Sequence, residues 1–328
     1  MKAFTRNCSE KIMTQSSLHE TLRIGLLAGA VAAAGILFDN AYHIQVLVFI
    51  GINTILTLGL NLLMGYTGQI SLGHAAFYGI GAYTSAILTV HFQFSPWLAL
   101  VPSLGLAVLV ALIVGIPTLK LSGYYLAMGT LGFGMIVFIV FRELDFWTGG
   151  SSGLAGIPSL KIGPVDLTSG RNFYYLVWGA VLGTLVVSRR LIESRVGRAL
   201  RSIHGSEHAA MAIGVNTQAY KLQVFVFSAF LAALAGFLYA HCIGFISPGS
   251  FDFMASVRMV TMVVIGGMAS IWGALLGASL LTLLPEWLHA FAEYEMIVYG
   301  LILMLVMIFL PQGLLRGLLD IYERSRNA

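Results

Sequence analysis

Long apolar runs follow one another along almost the whole chain, separated by short polar stretches. They lie at about 22–38, 43–64, 70–91, 97–119, 123–141, 173–188, 221–241, 257–268, 271–284 and 297–310. A bilayer crossing takes roughly 20 apolar residues, and each backbone amide inside it needs a partner within the segment, so these runs must be helices. Several runs are short, and Gly266-Gly267 divides the stretch 257–284. The pattern predicts an all-α, polytopic transmembrane helix bundle of about 8–10 membrane segments, some short or broken.

The composition supports this interpretation and excludes a soluble protein. Hydrophobic residues make up 58% of the chain and charged residues only 10%, whereas soluble domains carry about 25% charged residues. The first apolar run is not followed by a clean small-residue cleavage site, so it is interpreted as a retained span rather than a signal peptide. We expect an N-terminal tail over 1–21, a transmembrane domain over 22–310 and a C-terminal tail over 311–328.

The distribution of basic residues predicts the orientation. If every run crosses once and the N-terminus is cytoplasmic, fourteen of the eighteen Lys and Arg fall on the cytoplasmic side, as the positive-inside rule expects. Both termini and the insertion at 189–220 are then cytoplasmic. The net charge of +4 follows from the same rule and gives no indication of a nucleic-acid partner.

The sequence offers no support for enzymatic chemistry. It contains no Gly-Lys-Ser or Gly-Lys-Thr, so it lacks a P-loop for ATP. The middles of the apolar runs hold almost none of the ionisable side chains with which pumps relay protons, although Na⁺ can be held by backbone carbonyls alone. No metal-ligand spacing and no nucleophile–base pair is recognisable. We therefore predict no catalytic residue, no metal site and no cofactor in this chain.

A polar stripe marks the second apolar run. Asn53, Thr57 and Asn61 fall, with Thr54, within a sector of about 100° on a helix. An amide that faced lipid would be costly, so the stripe faces protein or water. Two interpretations stay open: the stripe forms hydrogen bonds between helices, or it lines a path for a solute.

A glycine-containing polar segment, 65–77, follows directly. It opens a new helix, whose free amides can hold a carboxylate, and many carriers build binding sites from such discontinuous helices. The alternative is a tight turn with close helix packing at Gly73, Gly79 and Gly81, and a single histidine is more often a packing residue than a ligand. Three side chains of the segment join the candidate path: Gln69, Ser71 and His74.

The insertion at 189–220 predicts two short helices on the cytoplasmic side. Val196, Leu200 and Ile203 share one helical face at i, i+4 and i+7, which indicates an amphipathic helix at the membrane surface. An alanine-rich helix follows, with Ser206 as its N-cap and Gly214 or Asn216 able to end it. Such a helix suits docking into a partner's groove, or it is a solvated helix that touches only lipid headgroups.

Three stretches, 61–88, 194–241 and 257–280, resemble the LivM-type permease subunits of bacterial branched-chain amino acid ABC importers. The most specific signals are the segment 68–77, GQISLGHAAF, and the segment 195–203, RVGRALRSI, which continues to Gly214-Val215-Asn216. The resemblance extends over everything after the first span.

The resemblance implies a permease of the bacterial inner membrane that moves branched-chain amino acids. Its expected partners are a LivH-type permease subunit, two cytoplasmic ATPase subunits that hold the ATP and Mg²⁺, a periplasmic substrate-binding protein and the lipid bilayer. The resemblance also suggests which residues engage an ATPase: Glu207, Ala209, Ala210 and Gly214. His208 stands between Glu207 and the two alanines, which is a departure from the general importer loop.

Two rivals and the choice of solute stay open at this point. The chain could be a self-sufficient secondary carrier or facilitator, or a structural membrane scaffold. Related permeases carry urea, amides or aromatic acids, and nothing in the sequence selects among these solutes.

Overall fold

The computed structural model describes residues 22–38, 40–162, 165–167 and 170–287, together with Ile297, Gly300, Leu301 and Met304. The two tails and most of the tenth apolar run lie outside the described residues. The described chain is almost entirely helical, which confirms the all-α prediction.

The helices follow the predicted apolar runs closely. They are α1 Leu22–Leu37, α2 Ala41–Thr67, α3 His74–Val90, α4 Pro96–Thr118, α5 Tyr124–Glu143, α6 Asp145–Thr148, α7 Gly170–Glu193, α8 Arg195–Gly205, α9 Glu207–Ala212, α10 Thr217–Ile243, α11 Phe253–Gly266 and α12 Ile271–Trp287. Six segments are long and apolar enough to cross a membrane: α2, α4, α5, α7, α10, and α11 with the turn that precedes it. Helices α1 and α12 are apolar but shorter. The described part of the chain therefore has the predicted mixture of full and short membrane segments.

Helix α2 is the centre of the bundle. In its most apolar stretch 83% of the residues are buried, against 28% in α4 and 22% in α5. It packs against α7, α10, α11 and α12, while α3 packs against α4 and α10. The exposed apolar side chains of α4 and α5, such as Val101, Ile113 and Ile136, suit contact with lipid. A polar side chain on α2 is therefore surrounded by protein.

Glycines let the central helices approach closely. A Cβ on Gly81 of α3 would meet the backbone of Ala233 in α10, and one on Gly236 of α10 would meet the carbonyl of Tyr78. Small residues serve this purpose in membranes because lipid gives helices little hydrophobic reason to associate. The predicted close packing at three glycines is confirmed, since a Cβ would meet another element at each: Gly73, Gly79 and Gly81.

Helices α11 and α12 form a tight hairpin. Helix α11 has 14 residues, about 21 Å of helix, which is shorter than the roughly 30 Å hydrocarbon core. The hairpin turns through Gly267, at φ 111°, and Ala269, at φ 58°. A Cβ on Gly277 would meet the carbonyl of Met262 across the hairpin. The predicted division of the stretch 257–284 is confirmed.

The connection between α5 and α7 is folded rather than a plain loop. It contains α6, a 3-10 turn and three short strands, β1 Leu154–Ala155, β2 Lys161–Ile162 and β3 Val165–Asp166. Strand β1 pairs antiparallel with β4, Phe245–Ile246, and β2 pairs with β3. His241 of α10 fixes the same region, since its ring is 2.7 Å from both the Ser85 hydroxyl and the Pro158 carbonyl. The α10–α11 connection is thus held in place.

Candidate functional site

A cavity of about 500 Å³ lies among α2, α3, α10, α11 and α12. Its walls are the first half of α2, one tyrosine each from α3 and α10, one face of α11 and the last turns of α12. The segment 247–250, which β4 holds in place, closes one side. Small-molecule sites have volumes of roughly 300–1,000 Å³, so this cavity can hold a solute of that class.

The polar groups of the cavity come from several elements. Asn53 Nδ2 donates to the Thr282 hydroxyl at 2.9 Å, which joins α2 to α12. Tyr239 donates to the Ser250 hydroxyl at 3.2 Å. Each of these four residues lines the cavity. Hydrogen bonds therefore fix the polar lining across four parts of the chain.

Two charged side chains also line the cavity. Arg258 of α11 is exposed, and Glu286 of α12 is half-buried. The Tyr42 hydroxyl donates to the Glu286 carboxylate. The cavity therefore presents a cation from one helix and an anion from another.

Sequence reasoning overlooked Arg258. The residue lies inside the apolar run 257–268 and is the one basic residue that falls neither in a cytoplasmic stretch nor in the long outer connection. A charge within a membrane helix is by default a functional-site hypothesis, because it is costly unless it faces water or a partner. That rule alone would have identified it from the sequence.

The remaining walls of the cavity are apolar. Val46 and Leu56 contribute from α2, Met259 and Met262 from α11, and Leu281 from α12. Methionine side chains are flexible and adapt to irregular aliphatic shapes. The cavity is therefore amphipathic, with charged and polar groups on part of its surface and aliphatic groups on the rest.

Two further residues of the α2 stripe, Thr57 and Asn61, face the α11–α12 hairpin. Thr57 is fully buried, donates to the Asn53 carbonyl at 2.6 Å and lies 3.6 Å from the Met262 sulfur. Asn61 Nδ2 donates to the Ser270 carbonyl at 2.6 Å, and its Oδ1 accepts from the Ala269 amide at 2.9 Å. The Asn61 amide thus fixes the hairpin turn by both of its polar ends.

Ser71 and His74 belong to a buried hydrogen-bonded group at the start of α3. The His74 ring is 3.0 Å from the Ser71 hydroxyl by Nδ1 and 2.5 Å from the Ser228 hydroxyl of α10 by Nε2. The Ala75 amide donates to the Ser256 hydroxyl of α11 at 3.1 Å. A backbone amide at this helix start is therefore already hydrogen-bonded to a side chain of the same chain. This arrangement fits the packing alternative for the helix start.

Gln69 differs from these neighbours. Its side chain is 5% exposed, and neither amide atom has a hydrogen-bond partner among the described residues. An unpaired buried amide is costly, so Gln69 stays a candidate for contact with a solute or a water molecule. Of the six candidate path residues, Asn53 lines the cavity and the other five are buried where helices pack: Thr57, Asn61, Gln69, Ser71 and His74.

The amphipathic helix of the 189–220 insertion is α8. Leu200 and Ile203 are buried, Val196 is half-buried, and the arginines at 195, 198 and 201 are exposed. A Cβ on Gly68, at the end of α2, would lie 3.2 Å from the His204 ring of α8. The predicted amphipathic face is confirmed, and it packs against the end of α2.

Helix α9 presents small and apolar residues outward. The Ser206 hydroxyl accepts from the Ala209 amide at 3.3 Å, which confirms the predicted N-cap. Ala209 and Gly214 are exposed, Ala210 is buried against the bundle, and Ile213 is 76% exposed. We refer to the stretch Glu207 to Gly214, the predicted candidate for docking a partner, as the docking segment.

Gly214 ends this segment, and Asn216 begins the next helix. Gly214 has φ +86°, a left-handed conformation that favours glycine, and its amide donates to the Met211 carbonyl at 3.0 Å. The Asn216 side chain accepts from the Ala219 amide at 3.1 Å as the N-cap of α10. Of the two predicted helix ends, Gly214 has that role.

Glu207 forms an ion pair with Lys221, which is 4% exposed at the start of α10. The Glu207 carboxylate is therefore turned toward its own chain. Beside the pair, an open pocket of about 610 Å³ lies between the docking segment, the start of α10 and the two residues that follow α4, Leu119 and Lys120. A groove with a small-residue wall can accept a protruding part of a partner.

The cavity and the docking segment lie at opposite ends of the bundle. Helix α2 has 27 residues, about 40 Å, with the cavity in its first half and α8 at its last turn. Helix α10 also joins the two regions, because Lys221 lies at its start and Tyr239 near its end. Motion at one end can reach the other through rigid helices.

Comparison with known proteins identifies relatives over most of the chain. The family described as "Branched-chain amino acid transport system / permease component" matches residues 42–307. The LivM permease protein of the Escherichia coli K12 high-affinity branched-chain amino acid transport system is 37% identical over 319 residues, covering 89% of this chain and 74% of the relative.

Two further relatives extend the comparison. The LivM permease protein of the Salmonella typhimurium system is 38% identical over 287 residues, covering 80% of this chain and 67% of the relative. The LivH permease protein of the same organism is 28% identical over 282 residues, covering 80% of this chain and 90% of the relative. No solved structure matches the chain.

Proposed function

We infer that this chain, which belongs to the family of branched-chain amino acid transport system permease components, is a transmembrane permease subunit of an ABC importer for branched-chain amino acids. The observation that carries the proposal is the family match over 42–307, on helices apolar enough to span a membrane. The chain moves solute across the bacterial inner membrane, and separate ATPase subunits hydrolyse the ATP. Both termini and the docking segment are cytoplasmic, and the cavity faces the periplasm.

The proposed path begins at the cavity. A periplasmic binding protein delivers the amino acid there, and the solute then passes between this chain and a second permease of the LivH type. The similarity to both LivM and LivH proteins supports such a pair. The amphipathic lining of the cavity suits a solute with a charged end and an aliphatic side chain.

The docking segment receives the mechanical input. Two ATPase subunits serve the permease pair. One ATPase contacts the exposed Ala209, Ile213 and Gly214 and the adjoining pocket. When the ATPases close on ATP, they move this segment. The Glu207–Lys221 ion pair carries the displacement to α10, which continues to the cavity at Tyr239.

Reconstitution of the complete complex tests this function. Proteoliposomes would contain this chain, a LivH-type permease, the two ATPases and the binding protein loaded with radiolabelled leucine. We expect leucine uptake when ATP is supplied on the side of the membrane that carries the ATPases. We expect none with a catalytically inactive ATPase. Leucine uptake by the permeases alone, driven by an ion gradient, would indicate a secondary carrier instead.

A further inference from the structure

We propose that the cavity is a transit site for a zwitterionic amino acid, in which Arg258 binds the carboxylate and Glu286 binds the ammonium group. The inference rests on the proposed function. It adds that this chain itself recognises the charged groups of the amino acid within the membrane domain, besides the recognition by the binding protein.

Arg258 is placed for a ligand rather than for the fold. It lies in the second turn of α11, a helix of the membrane domain, and its exposed side chain lines the cavity. No carboxylate of the described residues lies within 4.0 Å of it, the limit for an ion pair. A charged group within a membrane helix is tolerated where it faces water or a counter-charge, so the exposed Arg258 side chain is available to an anionic ligand in the cavity. Arginine suits a carboxylate because its fork makes two parallel hydrogen bonds.

Glu286 supplies the opposite charge from another helix of the cavity wall. It lies in the last turn of α12, lines the same cavity and accepts a hydrogen bond from Tyr42, which fixes the orientation of its carboxylate. No ion pair joins it to a Lys or Arg of the described residues. A ligand ammonium group would complete its hydrogen bonding and neutralise its charge.

The two charges together indicate the class of ligand. Arg258 and Glu286 lie on different helices, more than ion-pair distance apart, and line one cavity. An α-amino acid carries a carboxylate and an ammonium group on one carbon, so it offers a partner to each of the two side chains. A simple anion would leave Glu286 unpaired, and a simple cation would leave Arg258 unpaired, and an unpaired charge in a partly desolvated site is unfavourable.

The depth of the cavity fits a branched aliphatic side chain. Met262 lies one turn nearer the hairpin turn than Arg258, and Leu281 lies more than one turn nearer it than Glu286, so the aliphatic lining extends deeper than each charge on its own helix. Leu56 reaches the same depth from α2. The amino acid would therefore enter with its side chain inward and its charged groups toward the mouth, beside Asn53 and Ser250.

The test uses the complete transporter in proteoliposomes and measures leucine uptake and ATP hydrolysis in the same sample. The variants are Arg258→Gln, Arg258→Lys and Glu286→Gln. The matched controls are Arg142→Gln and Glu143→Gln, an exposed ion pair outside the cavity. Charge-assisted hydrogen bonds of about 1.5–3 kcal/mol predict roughly a tenfold or greater loss of uptake per ATP hydrolysed for Arg258→Gln and Glu286→Gln. We expect Arg258→Lys to retain part of the uptake and the controls to match the wild type.

The outcomes separate this inference from the proposed function. Suppose that the wild type takes up leucine with ATP and that the ratio of uptake to hydrolysis is unchanged in Arg258→Gln and Glu286→Gln. That result would overturn the transit site and leave the permease function standing. A phospholipid headgroup carries the same two charges and is an alternative occupant of the cavity. If a lipid binds there, or if the residues only hold the second permease, leucine uptake and ATP hydrolysis would fall together at a constant ratio. That result would also overturn the proposal. Absence of ATP-driven uptake in the wild type would instead contradict the proposed function.

Discussion

Lys221, almost fully buried at the start of α10, forms an ion pair with Glu207 in the first turn of α9. The pair spans the boundary between the docking segment and the membrane bundle. Because α9 has only six residues, it cannot hold its position through its own hydrogen bonds. The ion pair, the Ser206 cap and the buried Ala210 therefore position the segment.

Removing one member of this pair should loosen the docking segment. In Glu207→Gln the buried Lys221 ammonium group loses its partner, which we expect to cost about 1–3 kcal/mol of local stability. Hydrogen exchange of the amides from Ala209 to Ala212 should accelerate, and ATP-driven uptake should fall. The double variant Glu207→Gln with Lys221→Met removes the buried charge and should restore most of the protection. Equal exchange in the wild type and Glu207→Gln would show that the pair does not position α9.

Different substitutions of Gly214 can separate the effect of backbone strain from the effect of a blocked docking surface. Its φ of +86° disfavours other residues, by about 1–2 kcal/mol, yet a Cβ there would meet no atom of this chain within 4 Å. We expect Gly214→Asn to retain most uptake, since asparagine tolerates this conformation, and Gly214→Ala to retain less. Gly214→Trp should abolish uptake while the protein remains inserted, because the indole would collide with the ATPase. Unimpaired leucine uptake in Gly214→Trp would contradict docking at this position.

Asn61 should act through the α11–α12 turn. In Asn61→Leu the Ser270 carbonyl and the Ala269 amide lose their side-chain partner, at an expected cost of about 1–3 kcal/mol. Exchange of the amides at 267–270 should accelerate, and leucine uptake should fall. Thr54→Val is a matched control on the same helix, since its hydroxyl bonds only within α2. Unchanged exchange together with an altered preference between leucine and valine would assign Asn61 to the solute path instead.

Substitution of Gln69 is expected to differ from substitution of Asn61, because it should lower leucine uptake without lowering stability. Its buried amide has no partner among the described residues, so Gln69→Leu removes an unfavourable group and should leave the melting temperature unchanged or raised. If the amide contacts the passing solute, uptake of leucine should decrease in the same variant. A raised melting temperature with full uptake would assign Gln69 to packing and remove it from the path.

The sequence predicted the elements well because membrane helices are determined by local composition. The apolar runs, the divided stretch at Gly266-Gly267, the Ser206 cap and the left-handed Gly214 each depend on a few neighbouring residues. Hydropathy and capping rules are sufficient for features of this kind.

The site could not be predicted in the same way, because its contacts join distant parts of the chain. Asn53 meets Thr282 across 229 positions, and Asn61 meets Ser270 across 209. The periodicity of α2 showed that these amides face protein, but it could not show which helix they face. The Glu207–Lys221 pair likewise depends on the turn between α9 and α10.

The central claim is that the docking segment and the cavity face opposite sides of the membrane, and cysteine labelling tests it most directly. Single cysteines would be placed by Ile213→Cys and Gly249→Cys in a Cys8→Ser, Cys242→Ala background, in cells that lack the partner ATPases. An impermeant maleimide applied to intact spheroplasts should label Gly249→Cys at once and Ile213→Cys only after lysis. Labelling of Ile213→Cys in intact spheroplasts would invert the topology and contradict the account.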